Sequence, residues 1–188
     1  MPVSARDVAA ALRERQPGLG KKQVHKLLYL AQGHHLAVFG TPLFNETIAA
    51  WDMGPVVPSL WKEEKEGDPW AGEAVAPQLG EAELNTVGYV LSRYGRLSGQ
   101  DLEDLSHSQA PWRDANARRL PNGSVRIEVE AIREFFAAAE DTSDDDGIRL
   151  DSDKVRELLA GAEERLKLPL QDDDLDELKS MLAAARDQ

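Results

Sequence analysis

The chain has 188 residues, 41% of them hydrophobic and 30% charged, which suits one domain with a sizeable core plus an appendage. It contains no cysteine, so disulfide and thiolate chemistry are excluded and a cytoplasmic location is expected. No apolar run approaches the ~20 residues of a membrane span, MPVSARDVAAALRER does not read as a signal peptide, and a net charge of −12 opposes direct binding to phosphates, so no membrane or nucleic-acid partner is expected.

In chain order, Ser4 to Gln16 predicts a first helix. Ser4 and Asp7 have the spacing of a capping box, and Val3 and Val8 that of a hydrophobic staple. Pro17-Gly18-Leu19-Gly20 ends it. A longer helix follows from Lys21, with Val24, Leu27, Leu28, Ala31, His35 and Val38 at spacings of three and four. Gly40, suited to a left-handed C-terminal position, and Pro42 stop it. Thr47 to Trp51 reads as a strand, closed by Gly54-Pro55 and Pro58. A helix is predicted over Pro55–Lys65 with its prolines in the first turn and Val56, Leu60 and Trp61 on its apolar face. Residues 66–80 read as a loop.

Leu84, Val87, Leu91 and Tyr94 mark a further helix, ended by Gly95. Ser98 with Asp101 caps the next one, with Leu97 and Leu102 as its staple pair and Leu102 and Leu105 facing inward. Pro111 opens a short turn holding Trp112. After the turn at Asn122-Gly123, Val125, Ile127 and Val129 alternate as a short strand whose partner is the Thr47–Trp51 strand. A helix with Ile132, Phe135, Phe136 and Ala139 as its stripe completes this part. Leu28, Leu91 and Phe135 are the expected core residues of three different helices.

The remaining residues differ in charge. Residues 141–188 carry 15 acidic and 7 basic side chains, a net of −8 out of −12. DTSDDDG (141–147) reads as a linker. Beyond it Val155, Leu158, Leu159, Ala162 and Leu166 form one helical stripe. After Pro169, Asp172 caps a second with Leu175, Leu178, Leu182 and Ala185. Both are amphipathic and marginal alone in water, so each needs a surface: the core, each other or a partner. The expected organisation is a domain at 1–140, an acidic linker at 141–150 and a helical tail at 151–188. The fold class is mainly α: a compact helical domain with a small two-stranded β ribbon, followed by two amphipathic C-terminal helices.

Catalytic and metal signals are weak. His34 and His35 point about 100° apart on a helix and cannot share one ion, and neither metal nor cofactor is expected. Asp104, Ser106, His107 and Ser108 have the residue types of a hydrolytic triad, but chain neighbours rarely face each other and no G-x-S-x-G elbow exists. A small hydrolase is therefore the lowest-ranked function and no enzyme is expected. Lys21, Lys22 and Lys26 with His25 form a basic cluster, read as a solvated helix face that could meet an acidic partner.

Three blocks carry a resemblance: KLLYLAQGHHLAVFGTPLFNE, AAWDMGPVVPSLW and LSHSQAPW. In this order they resemble the Panacea (SocA-type antitoxin) domain of bacterial and phage toxin–antitoxin systems, over roughly Gly20 to Ala139. Lys26, His35, Trp51, Gly54, Pro55, Pro58, His107 and Trp112 stand at motif positions and are expected to be structural. His34 departs from the family's Trp, Ser106 from its Thr, and Asp52-Met53 from a pair usually ending in Tyr. The resemblance implies a type II antitoxin that neutralises a partner toxin by direct binding, with a shared scaffold joined to a variable toxin-specific segment. Here that segment would be the tail, with Leu158, Leu159, Leu166, Leu175, Leu178 and Leu182 as toxin-binding residues. The alternative it implies is an adaptor delivering a partner to an ATP-dependent protease.

Overall fold

The computed structural model describes residues 3–67 and 79–143. Its organising element is helix α2, Lys21–Phe39, in which every residue from Val24 to Leu36 is buried. A helix buried on all sides cannot be amphipathic and needs neighbours all round. Those neighbours are α1 (Ala5–Arg15), α4 (Glu81–Tyr94), α5 (Gly99–Ser108), α7 (Val129–Ser143) and strand β2 (Gly54–Val56). Helices α3 (Pro58–Glu66) and α6 (Ala110–Ala117) complete the seven helices of the described residues.

The local signals behave as their chemistry requires. Ser4 and Ser98 accept from the backbone N–H of Asp7 and Asp101, and both acids bond back to the cap N–H, giving two full capping boxes. Gly40 ends α2 in the left-handed conformation. Mainly α is the observed class, with strand β1 (Ala49–Trp51) pairing antiparallel to β3 (Val125–Arg126) through Ala49↔Arg126 and Ala50↔Val125.

The ribbon has a third strand that the sequence did not suggest. Gly54–Val56 is β2 and pairs antiparallel with β1, in the order β2-β1-β3, so the expected helix at Pro55 starts at Pro58 instead. Pro55 lacks an N–H donor and can sit in a strand only at a sheet edge, which is where β2 lies. Strand β3 is shorter than expected, because Val129 already belongs to α7. The turn expected at Pro111 is the first turn of α6.

The core also corrects three assignments. Leu28 is fully buried, but Leu91 and Phe135 are only partly so, and their helices are centred on Val87 and Val90 and on Ile132 and Phe136. The reason in α7 is steric. Phe136 lies over Gly33 of α2, in space that any side chain at Gly33 would fill, and this seating turns Phe135 toward the rim. Val38, placed on the buried stripe by spacing alone, is 65% exposed in the last turn of α2.

Two substitutions test this packing. Leu28→Ala should cost ~2–5 kcal/mol in denaturant unfolding, with Leu91→Ala costing clearly less. Gly33→Ala, a loss-of-space change, should destabilise by ~1–3 kcal/mol because the Phe136 ring must move.

Candidate functional site

Burying α2 on every side forces its polar side chains to find partners inside the protein. Gln32 accepts from the N–H of Leu43 and Phe44 and donates to the carbonyl of Phe44, pinning the chain after the helix. His34 bonds the Tyr94 hydroxyl at 3.0 Å and lies among Tyr89, Tyr94 and Phe136. Nδ1 of His35 is 2.8 Å from the Thr86 hydroxyl, and burial lowers the pKa of this imidazole. At the other end of the helix, His25 Nδ1 accepts from the N–H of Val57, leaving Nε2–H to donate to Glu64 at 3.3 Å. Glu64 is itself buried and also meets Arg13 of α1. Tyr29 keeps a buried hydroxyl without a hydrogen-bond partner, and burial pushes its pKa up.

Lys26 forms the centre of a second cluster. It is 1% exposed and donates from Nζ to the carbonyl of Pro55 at 3.2 Å. Gly54 is required beside it for two reasons: its φ of 99° is one L side chains rarely adopt, and a Cβ would press on Lys26 Cε and the Ser106 hydroxyl. Trp112 of α6 donates its indole N–H to the carbonyl of Trp51 at 3.3 Å and stacks on His107 of α5, centroids 3.8 Å apart. Trp51 donates in turn to the Ser124 hydroxyl. Burial pushes the Lys26 ammonium down to about 8, with Glu103 acting the other way and Lys22 reinforcing the drop.

This cluster borders a pocket of about 460 Å³ between the start of α2, the β1–β2 turn, Trp61 of α3 and the 122–124 turn. Lys21, Lys22, His25 and Lys26 line one side, and Trp51, Met53, Val56 and Trp61 the apolar side. Trp51 and Trp61 meet edge to face with centroids 5.1 Å apart. Asp52 lies at the lip and is paired with Arg119.

Of the residues singled out in the sequence, Lys26, Trp51, Gly54, Pro55, His107 and Trp112 come together here. Pro58 opens α3 just beyond Val57, whereas His35 lies two and a half turns along α2 from Lys26, against Thr86 and Phe39. The basic cluster is not the solvated face expected: Lys26 and His25 are buried, while Lys21 is exposed and Lys22 pairs with Glu103. The Ser106 hydroxyl donates to the backbone of Glu103 and Asp104 accepts from Gln100, so the triad-like residues make no mutual hydrogen bonds. Among the described residues no group of three or more His, Cys, Asp or Glu side chains is placed to hold a metal ion. Leu158, Leu159, Leu166, Leu175, Leu178 and Leu182 lie outside the described residues. Glu64 and Gln32 were missed, although each lies four residues after a buried leucine, Leu60 and Leu28, on the same helical face.

Residues 24–113 match the family described as antitoxin SocA-like, Panacea domain. The match spans α2 to α6 and is narrower than the Gly20 to Ala139 of the resemblance. Comparison with curated proteins and with solved structures returned no match. No helix of the described residues is long and apolar enough to cross a membrane.

The buried imidazole of His25 gives a pH signature. Burial holds its pKa at about 4, with Lys26, Arg13 and Lys21 pushing the same way, against 6.5 for an ordinary histidine. The unfolded chain therefore gains a proton that the native state refuses as pH falls from 6.5 to 4. Stability should be complete above 6.5 and should decline through that window by up to about 3 kcal/mol. Denaturant melts across the window, with the His25 ring proton followed by NMR, check this, and His25→Gln should flatten the slope.

Proposed function

From a chain that carries an antitoxin SocA-like Panacea domain over residues 24–113, we propose a type II antitoxin that neutralises its partner toxin by direct protein–protein binding in the cytoplasm. The family match is the observation that carries the reading, since an antitoxin implies a toxin as partner. What supports a non-catalytic role is the arrangement of the hydrolase-like side chains, which make no hydrogen bonds to one another: the Ser106 hydroxyl donates to the Glu103 carbonyl and the His107 ring stacks on Trp112.

The division of labour assigns the scaffold to residues 1–140, a linker to 141–150 and toxin contact to 151–188. The apolar stripe of Leu158, Leu159, Leu166, Leu175, Leu178 and Leu182 would lie in an apolar groove of the toxin, with the surrounding carboxylates against basic residues. Folding of these short amphipathic stretches on the toxin supplies the surface that neither has alone. Neutralisation then consists of covering the toxin's working surface, and no bond is made or broken.

Co-expression with the toxin encoded beside the gene tests this. A chain ending at Ser143 should retain a cooperative unfolding transition, because Met1–Ser143 is a compact unit of its own. It should nevertheless fail to rescue growth. Replacing Leu158, Leu159, Leu175 and Leu178 together by Asp in the full chain should also abolish rescue, since charges in an apolar groove are costly unless paired. Intact toxin should co-purify with the wild-type chain. Rescue by the truncated chain would move the interface to the scaffold, and disappearance of toxin only when an ATP-dependent protease is active would replace neutralisation by delivery.

A further inference from the structure

The pocket beside α2 has a charge opposite to that of the chain around it. The chain carries −12, yet three lysines converge on this one pocket. Each ammonium donates one hydrogen bond. Lys22 is met by the Glu103 carboxylate, but Lys21 and Lys26 are held only by the neutral backbone carbonyls of Glu64 and Pro55. Two positive charges therefore lack a bonded counter-charge; Lys21 is exposed and retains two further N–H donors, while Lys26 is buried and acts through its charge. The neighbouring acids are already engaged, Glu64 by Arg13 and His25 and Asp52 by Arg119.

The facing wall is apolar and accessible. Met53 is 55% exposed and Trp61 38% exposed, and Trp51 stands at 77° to Trp61. Two indoles at that angle make a right-angled shelf, which suits an aliphatic side chain, and not the parallel slot that would hold a nucleobase by both faces. A volume of about 460 Å³ is on the scale of a few side chains.

We propose that this pocket docks an acidic segment of the partner protein, one carboxylate bonded to Lys21 and drawn by the charge of the buried Lys26, with the adjacent aliphatic side chain on Trp51 and Trp61. Charge complementarity selects such a segment: a carboxylate supplies the missing counter-charge, and its aliphatic neighbour covers the exposed indole and thioether. The inference rests on the antitoxin reading, in which the segment belongs to the toxin. It provides a contact from the scaffold in addition to the tail.

The test uses the full chain and two acetylated, amidated octapeptides, one alternating Asp with Leu and the other Asn with Leu. Tryptophan fluorescence and calorimetry should show saturable binding of the Asp peptide, about tenfold or more tighter than the Asn peptide, weakening as salt is added. Met53→Asp should weaken that binding and Met53→Lys should strengthen it. Residue 53 is exposed on the turn, so both variants should melt like the parent. Lys26→Met, which keeps the length and apolar bulk of the side chain, should reduce the preference for Asp over Asn. Equal affinity for the two peptides, no saturable binding of either, or Met53→Asp and Met53→Lys acting alike would overturn the proposal. So would displacement of the Asp peptide by equimolar ATP, which would make this a small-anion site. A dimer dissolved by Met53→Asp would overturn it in favour of a second copy. The titration uses no toxin, so its failure removes the pocket contact and leaves the growth-rescue assay to judge the antitoxin reading separately.

Discussion

The structure depends on burying one helix, α2, that is not apolar. Thirteen consecutive residues are removed from solvent, and five of them are His25, Lys26, Gln32, His34 and His35. An unsatisfied buried polar group costs about 1–3 kcal/mol, so the neighbours of α2 must between them present both apolar surface and correctly placed partners. Those partners come from distant parts of the chain: Glu64, the Pro55 carbonyl, the backbone at Leu43 and Phe44, Tyr94 and Thr86. Apolar contact alone would hold α2 in many rotations, whereas these bonds are all made in one. The helix thereby fixes the register of α3, β2 and α4 around it.

The same constraint explains how a structural cluster comes to border a pocket. Lys26 reaches across to the β2 backbone, and Gly54 has no side chain so that it can. The hairpin is thus held against α2 at its base, while its turn at Asp52-Met53 stands out beside Trp61. The pocket is the space left between a tightly fastened base and a projecting turn. Its positive charge is a by-product of the buried anchor, strengthened by Lys21 and Lys22 one turn earlier.

Much of this was legible in local chemistry. Both serine capping boxes, the glycine stop at Gly40 and the pairing of residues near 49–50 with those near 125–126 follow from signals that act over a few residues or from simple alternation. The motif residues were legible too, but their union at one corner was not, because Lys26, Pro55 and Trp112 are joined by contacts that no spacing encodes. Lys26 shows the limit best. A lysine at the polar end of a helix reads as solvated, and only its partner, a carbonyl on a proline-bearing edge strand, makes burial tolerable. The third strand was hidden for a related reason: Pro55 argues for a corner or a helix start until the sheet edge is seen to accept it. Leu91 and Phe135 were misplaced by a fraction of a turn, since periodicity identifies a face but the seat of Phe136 over Gly33 decides its centre.

The wrapping of α2 also sets an order of events during synthesis. The helix is complete once residue 39 has been made, but one of its covering elements, α7, begins at Val129, and β1 meets its second neighbour only at Val125. Until about nine-tenths of the Met1–Ser143 unit has left the ribosome, the face of α2 that α7 covers and the outer edge of β1 lack their native cover. Contacts this far apart in sequence form late and slowly, and surface exposed in the interval is what chaperones bind and what aggregates. A protein built around an early helix and sealed by a late one is therefore most vulnerable while it is still attached to the ribosome.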